Sequence, residues 1–148
     1  MKVNNLEQQS TLLTTVRIVV RFSEVDAIRM VWHGNYVRYM EDARETFGRE
    51  FGLGYQTIFD NGFFAPVYDM HLRYKQMATV DDVVLVTITY RPAAGGKLIF
   101  DYDIRRESDG AQLCTATTTQ LFTTHDGEFY PANPPFYADW KRKFGLPE

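Results

Sequence analysis

Asp26-Ala27-Ile28-Arg29-Met30-Val31-Trp32-His33-Gly34 runs straight into Asn35-Tyr36-Val37-Arg38-Tyr39-Met40-Glu41-Asp42-Ala43-Arg44-Glu45-Thr46-Phe47-Gly48-Arg49-Glu50-Phe51, and the hydrophobic period changes at the junction. Tyr36, Met40, Ala43, Phe47 and Phe51 fall three or four residues apart, while Arg38, Glu41, Asp42, Arg44, Glu45 and Arg49 take the other face. This is the pattern of an amphipathic helix with one face on a core. Gly52 and Gly54 tolerate a left-handed C-terminal cap, so the helix is expected to stop around Phe51. Gly48, inside it, costs about 1 kcal/mol against alanine. Ahead of the helix the loop hangs one acid, Asp26, followed by the apolar trio Met30-Val31-Trp32 and the polar trio His33-Gly34-Asn35. Helix N-termini carry unpaired N–H groups and positive dipole that stabilise an oxyanion, which makes a carboxylate beside one a candidate hydrolytic site.

Upstream, Val16, Ile18, Val20 and Phe22 alternate with Arg17 and Arg21, predicting a half-buried strand that ends near Phe22. Downstream, everything from Phe63 to Thr124 reads as sheet. Tyr68, Met70, Leu72 and Tyr74 alternate against Asp69, His71, Arg73 and Lys75, so one face of that strand is wet. Val84, Val86, Ile88 and Tyr90 form the next strand, and Arg91-Pro92-Ala93-Ala94-Gly95-Gly96 turns it into a hairpin with Leu98, Phe100, Tyr102 and Ile104. Ser108-Asp109-Gly110 leads to a threonine-rich strand from Ala111 to Thr124, ended by His125-Asp126-Gly127. Asn133 as cap and Pro134-Pro135 predict a short helix over about 134–144 with Phe136, Trp140 and Phe144 on one side. One strand, one long helix and four strands is an α+β layout in which an antiparallel sheet wraps a central helix, within one domain over 1–148. A half-wrapped sheet leaves an edge strand, and pairing two sheets across a two-fold axis would cover it. A homodimer, or a tetramer built from dimers, is expected.

The 148 residues are 45% apolar, enough for one core. Sixteen basic and 19 acidic residues are interspersed, for a formal net charge of −3, which argues against nucleic acid or an anionic membrane surface as a partner. The single cysteine, Cys114, forms no internal disulfide and suits a reducing compartment. Met1 to Ser10 has no apolar h-region and no stretch approaches the roughly 18 apolar residues of a membrane span, so a cytoplasmic location is the expectation.

The chain's nucleophiles and ligands narrow the chemistry. Ser10, Ser23 and Ser108 lie in no Gly-x-Ser-x-Gly elbow. His71 and His125 have no metal-ligand spacing, so no metal is expected. Cys114 reads as a small buried apolar residue. Glu41 and Arg44, three apart on an exposed face, read first as an intrahelical pair. Trp32, Tyr36, Phe63, Phe64 and Tyr68 are candidates for an acyl-group lining, with core packing as the ordinary reading of such residues.

The segment Asp26 to Glu45 resembles the signature of the 4-hydroxybenzoyl-CoA thioesterase family of hotdog-fold enzymes. The likeness rests on the aspartate, on Val31-Trp32 five and six positions after it, on Asn35-Tyr36 nine and ten after it, and on Glu41-Asp42-Ala43-Arg44. Tyr74 to Asp82 and Gly96 to Tyr102 resemble later segments of the family, so the likeness spans about residues 14–124. It implies hydrolysis of an acyl-CoA or acyl-carrier-protein thioester at a site shared between two subunits, without metal or organic cofactor. Asp26 matches the catalytic carboxylate, and the polarising amide would be that of His33, helped by Gly34. Four positions depart from the family pattern: Arg29 and Asp81 stand where glycine is usual, Phe22 where tyrosine is common, and Met77 in place of a proline. Arg29 beside the acid could bind a carboxylate or phosphate of the substrate, or could mark a changed activity. Trp32 and Tyr36 are candidate acyl contacts. Arg91 and Lys97, with Arg105 and Arg106, are candidates for the nucleotide end of coenzyme A.

On this reading Asp26 acts as general base on water or as a nucleophile forming a mixed anhydride, and residue types alone leave both open. Two other classes fit the same residues. A hydratase or dehydratase would use Asp26 and His33 as an acid–base pair, and a non-catalytic acyl-ligand binder would bind without releasing thiol.

Overall fold

Packing of one helix stripe against alternating strands organises residues 11–148, the part of the chain that the computed structural model describes. The polar start expected for 1–10 lies outside the described residues. In chain order the elements are β1 (Leu13–Val19), a single 3-10 turn (Phe22–Glu24), α1 (Asn35–Phe51), α2 (Tyr55–Asp60), β2 (Phe63–Phe64), β3 (Val67–Tyr74), β4 (Val83–Arg91), β5 (Lys97–Arg106), β6 (Gln112–Leu121), β7 (Thr123–Thr124) and α3 (Pro135–Lys143). The main sheet is antiparallel with strand order β1-β4-β5-β6-β3, so β1 and β3 are its edges; β2 and β7 pair separately.

Register sets the core. Val86, Ile88 and Tyr90 of β4 sit opposite Ile104, Tyr102 and Phe100 of β5, and all six are buried. Onto this floor α1 lays Met40, Ala43 and Phe47 of the stripe read from the sequence, and beside them Tyr39, which that stripe did not include. The Phe47 ring meets Phe100 edge-on at 4.9 Å and Phe51 at 4.6 Å. Full burial of each such side chain is worth roughly 1.5–3 kcal/mol, and it is this burial, more than helix propensity, that holds α1 in place.

α3 closes the far end of the sheet. The Tyr137 hydroxyl donates to the Lys97 carbonyl at 2.7 Å, and since it has only one proton, the Tyr90 hydroxyl at 2.6 Å must donate to it in turn. Lys141 is fully buried; its Nζ donates to the carbonyls of Ala93 (2.9 Å) and Gly95 (2.8 Å) and lies 4.4 Å from the Tyr137 ring centre. Burial lowers the Lys141 pKa. Trp140 Nε1 donates to the Phe51 carbonyl at 2.7 Å, satisfying an orphan acceptor at the end of α1.

Several elements differ from expectation. Phe22 is not the last inward residue of a strand: β1 ends at Val19, and Phe22 is 83% exposed in the 3-10 turn. The turn is closed by the Arg21 N–H donating to Glu24 Oε1 (2.8 Å) and the Glu24 N–H donating to the Arg21 carbonyl (2.9 Å), which ends the strand. α2 was not expected, and the last strand divides at Phe122 into β6 and β7. Asn133 does not cap α3; Pro134 occupies that position, and Asn133 Oδ1 is buried without a protein partner among the described residues.

Gly48 reverses its sequence-level meaning. A methyl group there would meet Gly54 Cα at 2.6 Å, because the chain folds back after α1 with the Leu53 N–H donating to the Gly48 carbonyl. Gly48→Ala is therefore expected to destabilise the protein by about 1–3 kcal/mol, as overpacking does, instead of stabilising it by about 1 kcal/mol as propensity alone requires. The midpoint of urea unfolding decides between the two signs.

Candidate active site

Between the 3-10 turn and α1 the chain makes a tight hairpin around Asp26. The Asp26 N–H donates to the Met30 carbonyl (2.8 Å), Val25 and Val31 form a bridge, and the Trp32 N–H donates to the Glu24 carbonyl (2.9 Å). Asp26 Oδ1 accepts the N–H groups of Ile28 (3.0 Å) and Met30 (3.4 Å), an Asx-type turn, while Oδ2 accepts nothing among the described residues. The carboxylate is thus held by one oxygen and open at the other. It is exposed and makes no ion pair with Arg29.

The hairpin is seated by two neighbours. The Glu24 carbonyl also accepts from Asn35 Nδ2 at 2.7 Å, and the Glu24 carboxylate accepts from the Tyr39 hydroxyl at 3.2 Å. Burial and this carboxylate raise the Tyr39 pKa well above the ordinary phenol range. On the other side the Val31 N–H donates to the Ala78 carbonyl (2.9 Å) and Thr79 Oγ1 donates to the Arg29 carbonyl (2.7 Å).

At the helix mouth two peptide planes are set from outside. The Trp32 carbonyl accepts the Asn35 N–H at 2.9 Å, and the His33 carbonyl accepts the Tyr74 hydroxyl at 2.9 Å. In a trans peptide the N–H points opposite to the carbonyl, so these bonds turn the N–H groups of His33 and Gly34 away from their anchors. Neither N–H has an acceptor among the described residues. A Cβ at Gly34 would lie 2.2 Å from the far edge of the Trp32 ring, which leans over it half-exposed, so a side chain there would displace the indole.

Asp26, Arg29, Trp32, His33 and Gly34 therefore share one loop, whereas the other expected contacts do not. Tyr36 is only 3% exposed, packed edge-on to Tyr39 and Tyr74. Arg91 and Lys97 stand at the opposite end of the sheet: β4 begins at Val83, just after the Asp82 whose carbonyl accepts the Val20 N–H, and ends at Arg91, about 26 Å away for eight rises of roughly 3.3 Å each. Arg91 is held by Asp101, with Nε 2.9 Å from Oδ2. Arg106 is engaged by Asp82, Asp109 and the Met77 carbonyl.

Arg29 and Asp81, the two departures from a family glycine, are the non-glycine residues with positive φ, at 63° and 70°. The turns demand a left-handed backbone that glycine adopts freely and that costs other residues about 1–2 kcal/mol.

A cleft of about 970 Å³ opens between the exposed flank of α1, α2 and the sheet. Its wall begins at Glu41, six residues or about 9 Å along α1 from Asn35, and Leu98, Phe100 and Gln120 form its floor. Asp26 does not line it. Glu41 and Arg44 do not pair; Arg44 turns inward and donates to the Tyr102 hydroxyl (3.2 Å), which is 2.9 Å from Thr118 Oγ1. Of the aromatic residues proposed as acyl lining, only Phe64 reaches this cleft. Phe63 packs on Tyr130 and Tyr68 is exposed on the other side of the sheet. His125 stacks on Phe59 (4.5 Å) and Phe64 (4.8 Å), joining α2 to β2. Cys114 is buried with its thiol pKa pushed up to about 11, which leaves it inert. Glu24, Tyr74 and the cleft escaped the sequence reading; Gly48, a gap in the charged face of α1, was the available signal for the last.

Comparison with known proteins decides the family. Residues 20–144 match the model of the thioesterase-like superfamily. The chain belongs to that superfamily. It is 29% identical over 129 residues to a Bacillus subtilis protein whose name proposes an acyl-CoA thioesterase, covering 84% of this chain and 93% of that one. Its fold superposes with a TM-score of 0.79 on a DHNA-CoA thioesterase from Staphylococcus aureus, at 25% identity over 90% of this chain and 89% of that one. The 4-hydroxybenzoyl-CoA thioesterase of a Pseudomonas strain, 21% identical with a TM-score of 0.76 over 88% of this chain and 97% of that one, shares the fold. The hotdog fold and the thioesterase class implied by the Asp26 to Glu45 segment are those of this chain.

Tyr74→Phe removes the anchor of the His33 carbonyl and nothing from the hairpin. Its expected effect is a loss of about 1 kcal/mol in stability and roughly a tenfold fall in kcat for thioester hydrolysis with KM nearly unchanged. Steady-state kinetics beside a thermal melt separate the two effects. Arg29→Gly should relieve backbone strain and raise stability by about 1 kcal/mol, read as a higher unfolding midpoint.

Proposed function

We propose that the protein hydrolyses acyl-CoA thioesters, with Asp26 as the reacting carboxylate and the main-chain N–H of His33, assisted by that of Gly34, as donor to the oxyanion. The observation that carries this reading is the pairing, on one hairpin, of a carboxylate with one uncommitted oxygen and two helix-mouth amides whose planes are fixed and whose N–H groups have no acceptor among the described residues. The names of the Bacillus subtilis and Staphylococcus aureus relatives support coenzyme A as the thiol carrier. A carrier protein is the alternative carrier.

Attack of water on the thioester carbon places negative charge on the carbonyl oxygen, which fixed amides stabilise without reorganising. Asp26 takes the proton of that water, or attacks first and is regenerated when water opens the anhydride. In both routes the C–S bond breaks: in the first the proton that Asp26 took from water passes to the departing sulfur, and in the second the thiolate leaves before water enters and takes its proton from solvent. Arg29, exposed and without an ion pair among the described residues, contacts a phosphate or carboxylate of the substrate.

Asp26 lies on the open surface of one protomer while the cleft starts further along α1, which supports a site completed by a second copy added at the β3 edge. Arg91 and Lys97 join the nucleotide end only in such an assembly. Trp32 flanks the reacting carbonyl, and Tyr36 supports the loop from beneath. No helix among the described residues is long and apolar enough to cross a membrane, and a cytoplasmic setting suits the single buried thiol.

Asp26→Asn keeps the Oδ1 acceptor of the turn and so should leave the melting temperature within a few degrees, while lowering kcat at least about 100-fold across a panel of acyl-CoAs followed by thiol release. Full activity in this variant, or no thiol release from any acyl-CoA by the wild type, would refute the proposal.

A further inference from the structure

The outer row of the edge strand β3 is complementary to its own reverse. The Lys75 N–H donates to the Leu113 carbonyl at 2.8 Å, and main-chain direction alternates along an antiparallel ladder, so Asp69, His71 and Arg73 aim their main-chain groups at β6. Those of Met70, Leu72 and Tyr74 therefore point out of the sheet at its open edge. Side chains alternate too. Asp69, His71 and Arg73 stand exposed in one row on the outer face, opposite Thr119, Thr117 and Thr115 of β6, while Met70 and Leu72 lie half-buried on the inner face. None of the three outer side chains forms an ion pair or hydrogen bond with a described residue.

A second copy that extends the sheet antiparallel must set edge-facing main-chain groups against each other, which puts the two-fold axis on a residue and not between two. Charge then selects the residue. With the axis at His71, Asp69 lies opposite Arg73 of the copy at both ends of the row, and Met70 lies opposite Leu72 on the inner face. One step on, at Leu72, each His71 faces an Arg73, and Asp69 falls to Lys75, which Gln112 Oε1 holds at 2.7 Å. One step back, at Met70, Arg73 faces Val67 and has no acid. Opposite charges directly across a strand pair stabilise it and like charges destabilise it. The other edge offers no such match, since the outer row of β1 is Leu13, Thr15, Arg17 and Val19, and Arg17 is held by Glu107.

We propose that two copies of the chain join along β3 with the two-fold axis at His71, closing two Asp69–Arg73 ion pairs around a facing pair of imidazoles, and that these imidazoles make the dimer acid-sensitive. This rests on the second copy that the proposed function calls for at the β3 edge, and gives its register. Residues opposite each other at such an axis have Cβ atoms about 4.5–5.5 Å apart. Imidazole gains its charge between about pH 8 and 5, so in acid two positive rings meet there. The other groups facing His71 do not cancel them. Asp69 is taken by Arg73 across the axis, Arg73 is itself positive, and Thr117 on β6 donates its proton to Asp101, which Arg91 holds.

Sedimentation equilibrium of the full chain, beside a thermal melt that confirms folding, tests the register without any thioester. At pH 8, Asp69→Arg and Arg73→Asp should each weaken the dimer at least tenfold, and the double exchange should restore it to within about threefold. His71→Cys should form a disulfide between copies on mild oxidation, because facing Cα atoms about 4.5 Å apart suit that bond; Asp69→Cys, four residues along from its counterpart, should not. Cys114 is buried and does not compete. From pH 8 to 5.5 the wild-type dimer should weaken about fivefold and that of His71→Gln less than twofold. A double exchange as weak as the single ones, no crosslink through His71→Cys, or equal acid sensitivity in wild type and His71→Gln overturns the proposal and leaves a second copy at this edge standing in another register. A wild type that stays monomeric at its highest soluble concentration overturns both.

Discussion

The main-chain oxygen of Glu24 accepts hydrogen bonds from the Trp32 N–H and the Asn35 side chain together, and the candidate site depends on that shared acceptor. One acceptor ties the returning arm of the Asp26 hairpin to the first residue of α1, so the loop cannot swing without disturbing the helix. Asn35 is only 4% exposed, and a buried amide left without this partner would cost about 1–3 kcal/mol. Because α1 is itself anchored by the Tyr39 to Phe47 stripe, the rigidity of the core reaches the helix mouth through Glu24. The two amides proposed to meet the oxyanion inherit their orientation from packing.

The helix and the central strands were legible because each carries a period that only one structure satisfies. The stripe from Tyr36 to Phe51 and the alternations in β4 and β5 predict α1 and the hairpin almost to the residue. α2 was not legible: Tyr55 to Asp60 buries only Ile58, too little for a period. Phe22 misled because alternation continued past the point where Glu24 closes the turn. The Asp26 hairpin was readable only as a motif, since its order comes from main-chain bonds to Glu24 and Ala78 and from the distant Thr79 hydroxyl on the Arg29 carbonyl, none of which leaves a period in the sequence. Arg44 was misplaced for a related reason. Spacing puts it beside Glu41, but the Tyr102 hydroxyl across the core is the partner it takes.

Two features share a physical logic. Arg29 and Asp81 hold left-handed backbones in adjoining turns, linked through Thr79 and Ala78, and both sit where a glycine would be unstrained. Keeping side chains there costs stability, and a local cost that persists beside a candidate site fits a side chain with a task, as with Arg29 in the proposed substrate contact. Lys141, at the opposite end, shows how a charge is tolerated inside the core: two carbonyls and an aromatic face replace its water.

The two indoles occupy opposite surroundings. Trp140 is 7% exposed and hydrogen-bonded at the end of α1, whereas Trp32 is 47% exposed and overhangs Gly34 at its start. Emission from Trp140 should lie to the blue and resist quenching by iodide, leaving the red, quenchable component to Trp32. The chain thereby carries a built-in fluorophore at the helix mouth, and occupancy there can be followed optically without a label.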